Sequence, residues 1–473
     1  MTDSAGAPER RAIGTGHIVF FVVAAAAPLT AVLGASPAAF AFGNGPGVPL
    51  VYLLIGGLYL LFSAGFTAMS PYVVGAGGFY AYVTAGLGQR AGSAVAAIAI
   101  ATYQAIAVGA YGLFGFFAAQ TLVATLGWSP PWWILTLPMA AAVHFCGRRT
   151  LNFSGNLLAV CMLGEVAILL ALGIAILAQH GTESLAIAPA ATVFGPGLGV
   201  AIVFVVASFI GFEATVIFGE EARNPTRDIP RATYLAVILI ALFYGFSTWT
   251  ITLYYGQSAI HAAALADPGN LYLTPIRSLL GRPAYALTQG LLLTSVFAAI
   301  LSFHATIARY LSGVAREGLC DARLGVLDPV HGSPHRAGVV QTLASIAIVL
   351  LAASLRVDPY AGLFAWAGAF SSLGVLAMQF LTSVAVLAFF RGRNLAVHRA
   401  KTFTAPSVAA VGLLVALALS TLNLGLIAGT DSKAVLLLPV LLALTGAAGW
   451  MRKGRTPVPA YAIDDAILAK LRD

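Results

Sequence analysis

Two glutamates stand where glutamates are costly. Glu213 follows Gly211 by two residues inside the apolar stretch GLGVAIVFVVASFIGFEATVIFGEEARNPTRDIPR, residues 197–231. Glu165 lies in CMLGEVAIL. Hydrocarbon offers no water to a carboxylate or to open backbone, so each must face protein or a wet cavity. Glu213 reads as a titrating or gating group, the alternative being a permanently hydrogen-bonded carboxylate that pins the chain at Gly211. Glu165 reads as a proton carrier, a partner for an amine, or a structural anchor. A further stretch holds Ser295, Ser302 and Thr306, spaced seven and four apart and so on one helical face. His304 lies about half a turn from that face at ~100° per residue. The hydroxyls and the histidine therefore cannot both look at the same centre. Ser302 and Thr306 facing the first helix would suit Na⁺, although helix hydroxyls commonly bond back to their own carbonyls. His304 on a wet path could titrate; packed and hydrogen-bonded, it would not. Gln104 and Tyr111, seven apart, share a face, and Phe209, Phe212 and Trp366 are gate or pocket candidates if they are not simply packing.

The elements that must position these residues are membrane spans. The chain of 473 residues is 59% hydrophobic and 9% charged, with mean hydropathy +0.90. That balance excludes a soluble domain and fits repeated apolar stretches of ~20 residues. Twelve candidate spans run 17–42, 48–70, 92–126, 131–147, 154–179, 196–219, 232–255, 284–313, 337–356, 360–390, 406–429 and 434–451. The polar start through Arg11 is not that of a cleavable signal peptide. With the N-terminus in the cytoplasm, 21 of the 25 basic residues fall on the inner side. The outer loops hold Arg277, Arg282, Arg356 and Lys433. This bias follows the positive-inside rule, places both termini in the cytoplasm, and accounts for the net charge of +8 without nucleic acid. Cys146, Cys161 and Cys320 lack paired spacing and read as free thiols, with no disulfide or metal.

The first and sixth spans are both interrupted. The first, HIVFFVVAAAAPLTAVLGASPAAF, carries Pro28 and Pro37. Each interrupted span opens a run of five. An odd number of spans makes the second run inverted relative to the first, and matching interruptions in inverted halves point to a transported solute. The expected architecture is an all-α integral membrane protein in one transmembrane domain, 1–473. It comprises a first five-helix repeat (13–180), an inverted second repeat (194–390), two extra helices (406–452) and a cytoplasmic tail (453–473). Short helices are expected in the apolar linkers PYVVGAGGFYAYVTAGLG and HAAALADPGNLYLTPIRSLLGRP. The tail either lies on the membrane surface or frays.

Three stretches, PYVVGAGGFYAYV, SFIGFEATVIFGEEARNPTRDIPRA and ARYLSGVAREG, resemble the amino acid–polyamine–organocation (APC) permease family, and with the span pattern the resemblance covers nearly the whole chain. It implies the leucine-transporter fold, with a central site between helices 1, 3, 6, 8 and 10, alternating access, and amino acids or related amines as substrates. Two departures stand out. Where many relatives have a glycine–serine–glycine break, this chain has AAAAPLT. Where arginine–agmatine exchangers of the family place a tryptophan lid, it has Ala207, which speaks against that specificity.

A broken helix offers unpaired N–H groups at one stump and unpaired C=O groups at the other, which suits the carboxylate and ammonium of an amino acid. The resemblance carries that role onto Ala26, Ala27, Pro28, Leu29 and Thr30, and onto Ser208, Phe209, Ile210 and Gly211. The alternative for the alanines is close helix packing. No lysine or arginine lies in the middle of a span, so backbone is the natural carboxylate receptor. The helix 5 lysine of some proton-coupled relatives is absent, which leaves proton coupling to Glu213, Glu165 or His304. Arg223, Asn224, Arg227 and Asp228 read as a latch or a helix-end anchor outside the site. No HExxH, paired-aspartate or Cys/His cluster marks an enzyme, and no GxxxxGK[ST] loop marks a pump within this chain. The expectation is a cytoplasmic-membrane transporter of amino acids or small organic amines. It would need no cofactor, and would couple uptake to protons or exchange one substrate for another. A channel or a non-transporting sensor of the same fold is the competing class.

Overall fold

Proline and glycine set where the helices stop. The computed structural model describes residues 13–73, 78–148, 155–180, 188–220, 222–328, 332–391, 393, 397–424 and 433–452. The expected tail, Arg10, Arg11, Arg149 and residues 74–77 of the first linker lie outside the described residues.

Among the described residues, ten helical stretches are long and apolar enough to cross a membrane. In chain order the helices are α1 (Thr15–Ala25), α2 (Thr30–Phe42), α3 (Val48–Met69), α4 (Gly78–Leu87), α5 (Gln89–Leu126), α6 (Trp132–Arg148), α7 (Gly155–His180) and α8 (Leu198–Phe209). They continue with the tight 3₁₀ helix α9 (Phe212–Glu220), then α10 (Pro225–Tyr255), α11 (Ile260–Ala266), α12 (Gly281–Arg316) and α13 (His335–Ser354). The last are α14 (Pro359–Phe390), α15 (Ala400–Leu422) and α16 (Leu437–Met451). The expected first span is present as α1 and α2, neither long enough to cross alone. The expected fourth is the 17-residue α6. Both linkers hold the short helices anticipated for them, α4 in one and α11 in the other.

The boundaries have local causes. Pro49 and Pro225 sit in first turns, where a missing N–H costs nothing. Gly127 closes α5 in the left-handed conformation at φ +66°. Helix α10 begins seven residues before the apolar pattern does, because Asn224, Pro225 and Asp228 start it in a polar segment. Asp228 accepts from the Asn224 N–H at 2.9 Å and from the Thr15 hydroxyl at 2.6 Å.

Helix α5 is the axis of the bundle. It packs against α4, α6, α12, α14 and α16. Helix α8 is apolar on all sides, and only Leu198 and Ala207 in it are less than buried. A helix without a polar face belongs inside, and α8 packs among α2, α3, α14 and α15.

Between α8 and α9 the chain is extended at Ile210 and positive at Gly211, φ +115°. A side chain at that φ strains the backbone by roughly 1–3 kcal/mol. Gly211→Ala is therefore expected to lower the unfolding midpoint in detergent by that equivalent, whereas Gly57→Ala, on a helix with open space around its Cα, is not. Equal midpoints would show that the break tolerates a β-carbon.

Candidate functional site

Helix 1 breaks because Pro28 has no N–H and crowds the preceding turn, and because the residue before a proline is driven out of helical backbone. Ala27 leaves it for the left-handed region, φ +45°, which the proline does not itself impose and which strains an alanine. The N–H groups of Leu29 and Thr30 then have no carbonyl within the helix. Leu29 N–H donates to Glu165 Oε2 at 3.1 Å, and Thr30 N–H to Ser295 Oγ at 3.3 Å. The Thr30 hydroxyl donates to the same oxygen at 3.0 Å, and Ser295 gives its own proton to Glu165 Oε2 at 2.8 Å. On the other stump, the carbonyl of Ala26 accepts from the Tyr244 hydroxyl at 3.3 Å.

The second break is held in the same way by a different route. Glu213 folds back so that Oε2 accepts from Gly211 N–H at 2.9 Å, while Oε1 accepts from the Tyr103 hydroxyl at 2.9 Å. Both carboxylates are buried. Each break thus has an acid on a freed N–H, with a hydroxyl from a further helix on the same acid.

A cavity of about 80 Å³ lies between the breaks. Ala26, Ala27, Thr30, Ala207, Ser208 and Ile210 line it from the broken helices, with Ile106, Ala299, Phe303, Phe364 and Ser371 opposite. A second cavity of about 40 Å³ is lined by Gly211, Glu213, Tyr103, Ser302, Thr306, Phe303 and Tyr310. Phe303 belongs to both linings and so adjoins both cavities. A larger hollow of about 670 Å³ opens between the ends of α5, α6 and α12, lined by Gln120, Trp132, Tyr285 and Gln289 among others. It shares no residue with either break, and its size does not make it the site.

The structure gathers part of the expected set. Ala26, Ala27, Thr30, Ser208 and Ile210 line the central cavity. Pro28 and Leu29 are buried behind it, Leu29 being tied to Glu165. Gly211 and Glu213 line the second cavity. The remaining residues lie elsewhere. Phe209 packs on Tyr52 and Tyr59, and Phe212 on Tyr59 and Phe62, so both turn toward α3. Gln104 donates to Ser345 on α13 at 2.8 Å. Tyr111 is buried outside both linings, its hydroxyl without a partner among the described residues. Trp366 is half-buried against the core and outside both linings. The hydroxyl stripe of α12 divides. Ser295 meets helix 1 and Glu165, while Ser302 and Thr306 face Glu213, Thr306 donating to the Ser302 carbonyl at 2.9 Å. Among the described residues, Ser302 and Thr306 line the cavity at Glu213, not the one walled by the helix 1 break. His304 points away, bonded to Gln341 with its ring 5.9 Å from that of His144.

Tyr103, Tyr244, Phe303, Phe364 and Ser371 escape the sequence reading. Only Phe303 left a signal: Ala299 and Phe303 share a helical face by their spacing of four.

In comparison with known families, the family model described as amino acid permease matches residues 17–443. No curated protein matches the chain.

Tyr103 is the only side-chain donor to Glu213 among the described residues. Tyr103→Phe is expected to destabilise the protein by about 1–3 kcal/mol, the cost of a lost partner to a buried acceptor, read as a lowered unfolding midpoint in detergent. A midpoint like that of the wild type would mean that another donor replaces the tyrosine.

Proposed function

The chain belongs to the amino acid permease family and is a multi-pass membrane transporter of amino acids; we propose that it carries small neutral amino acids by alternating access, in uptake coupled to protons. The observation that carries this reading is the cavity between the two helix breaks, small, apolar and flanked by two buried acids. Its 80 Å³ has room for about three waters at roughly 30 Å³ each, enough for an α-carbon bearing a short side chain. Its side-chain lining carries no charge, which disfavours charged side chains in the substrate. Coupling to protons rests on one of the two buried acids that meet the breaks, Glu165 or Glu213. The setting of this reading is the cytoplasmic membrane with both termini inside, and halves 13–180 and 194–390 related as inverted repeats. Exchange of one substrate for another is the second mode, and it differs from uptake in needing substrate on the far side.

The test is uptake of labelled glycine, L-alanine, L-serine, L-leucine and L-arginine into proteoliposomes, with a pH gradient, a Na⁺ gradient or neither. The expected result is accumulation of the three smallest on a pH gradient alone. Strict dependence on internal substrate would make the protein an exchanger, and arginine preferred over alanine would overturn the cavity reading. Phe303→Ala should raise the kcat/KM ratio of leucine to alanine about tenfold, as added space for a few methylenes does.

A further inference from the structure

The donors that an amino acid carboxylate would seek at helix 1 are already taken. Leu29 N–H is on Glu165, and Thr30 gives both its N–H and its hydroxyl to Ser295, which relays to the same Glu165 oxygen. At the other break, Gly211 N–H is on Glu213. No lysine or arginine lies in the middle of a span to offer an alternative.

Resting on the proton-coupled reading above, we propose that Glu165 and the substrate carboxylate compete for the Leu29–Thr30 donors, so that substrate seats only as Glu165 takes up a proton. Two carboxylates within reach of one N–H cannot both stay ionised. One proton joins Glu165 when the substrate carboxylate takes its place on Leu29. The same proton leaves on the opposite side when substrate departs and the acid returns. Coupling at one proton per substrate then follows from a shared set of donors.

Glu165 is better placed for this than Glu213. Its partners Leu29 and Thr30 belong to the break that walls the central cavity, whereas Glu213 lines the second cavity and holds its own turn. The groups facing Glu165 are few. Helix 1 offers the Leu29 N–H, α12 offers Ser295, and α10 offers Tyr244, whose hydroxyl is on Ala26. The other ionisable residues on those elements lie elsewhere along them: His17 on α1, Arg227, Asp228, Arg231, Tyr234, Tyr254 and Tyr255 on α10, and Arg282, Tyr285, His304, Arg309, Tyr310 and Arg316 on α12. Arg277, in the turn that packs on α7, is exposed.

The experiment uses the full chain in proteoliposomes with labelled L-alanine, and ethylamine as the same molecule without its carboxylate. For the wild type, the KM for alanine should rise up to about tenfold per unit of external pH, as one linked proton requires. Inhibition by ethylamine should not strengthen as pH falls. Glu165→Gln, which can still accept from Leu29, should lose accumulation on a pH gradient, and the KM of the alanine counterflow it retains should be flat with pH. Glu213→Gln should keep the slope. Accumulation by Glu165→Gln equal to wild type, or ethylamine inhibition that follows pH as alanine does, overturns the competition while leaving alanine transport standing. Should Glu165→Gln lose counterflow too, the wild-type ethylamine comparison decides. Failure of the wild type to move glycine, alanine or serine in any mode overturns the neutral amino acid reading and this inference together.

Discussion

A backbone N–H released from a helix inside a membrane protein must find an acceptor or cost about 1–3 kcal/mol, and this chain releases several at two places. Pro28 and Gly211 create the breaks; Glu165 and Glu213 make them tolerable. An ionised acceptor bonds more strongly than a neutral one, so a single carboxylate can hold a turn that a hydroxyl alone would leave loose. The acids also fasten each break to helices distant in sequence. Helix 1 is joined to α7 and α12 through Glu165 and Ser295, and the second break to α5 through Glu213 and Tyr103. Without these bonds, neither interruption would have a defined shape, and the cavity between them would have no fixed wall.

The same breaks leave the two halves of helix 1 with separate attachments. Below the break, Thr15 on α1 is bonded to Asp228, and Ile13 O accepts from Arg223 N–H at 3.0 Å, so α1 follows the start of α10. Beyond the break, Gly34 O accepts from the Tyr360 hydroxyl at 2.9 Å, and Ser36 meets the Tyr272 hydroxyl at 2.8 Å, so α2 follows α14 and the turn around residue 272. A rigid helix would transmit any displacement of one end to the other. A helix interrupted at Ala27 and Pro28 need not, and the bonds that hold each half closed are a few side-chain contacts. Tyr80 and Glu317 add one more between α4 and the end of α12.

Much of this was legible in the sequence because its causes are local. Hydropathy sets the spans, and proline and glycine set the breaks, so boundaries fell within a few residues for most helices. Glu213 and Glu165 stood out because any acid in an apolar run does. Which way each helix turns was not legible. In a soluble protein the polar face marks the outside, but here lipid and core are equally apolar, so periodicity does not separate them. Gln104 and Tyr111 share a face by spacing, yet the cavity face of α5 is the run Ile106, Gly109, Ala110 and Leu113. Phe209 and Phe212 are large and near the break, but three aromatic rings of α3 receive them. Ser295 belonged to a visible stripe, and only the tertiary structure shows it to be the member that meets helix 1.

The hydrogen bonds around the cavity are not neutral toward the two ends of a zwitterion. Ser371 donates to the carbonyls of Thr102 and Ala367, Ser208 to that of Phe204, and Thr30 to Ser295. Each hydroxyl gives its proton to protein and leaves lone pairs over. A lining of that kind accepts hydrogen bonds, and an ammonium supplies them. It can therefore be received with the existing bonds in place. A carboxylate needs donors, and those at the breaks are held by resident acids. Seating an ammonium asks for little rearrangement, whereas seating a carboxylate asks for Glu165 to let go. The chemical asymmetry of the substrate thus meets an asymmetry in the site, and the carboxylate end is the one whose arrival must move the protein.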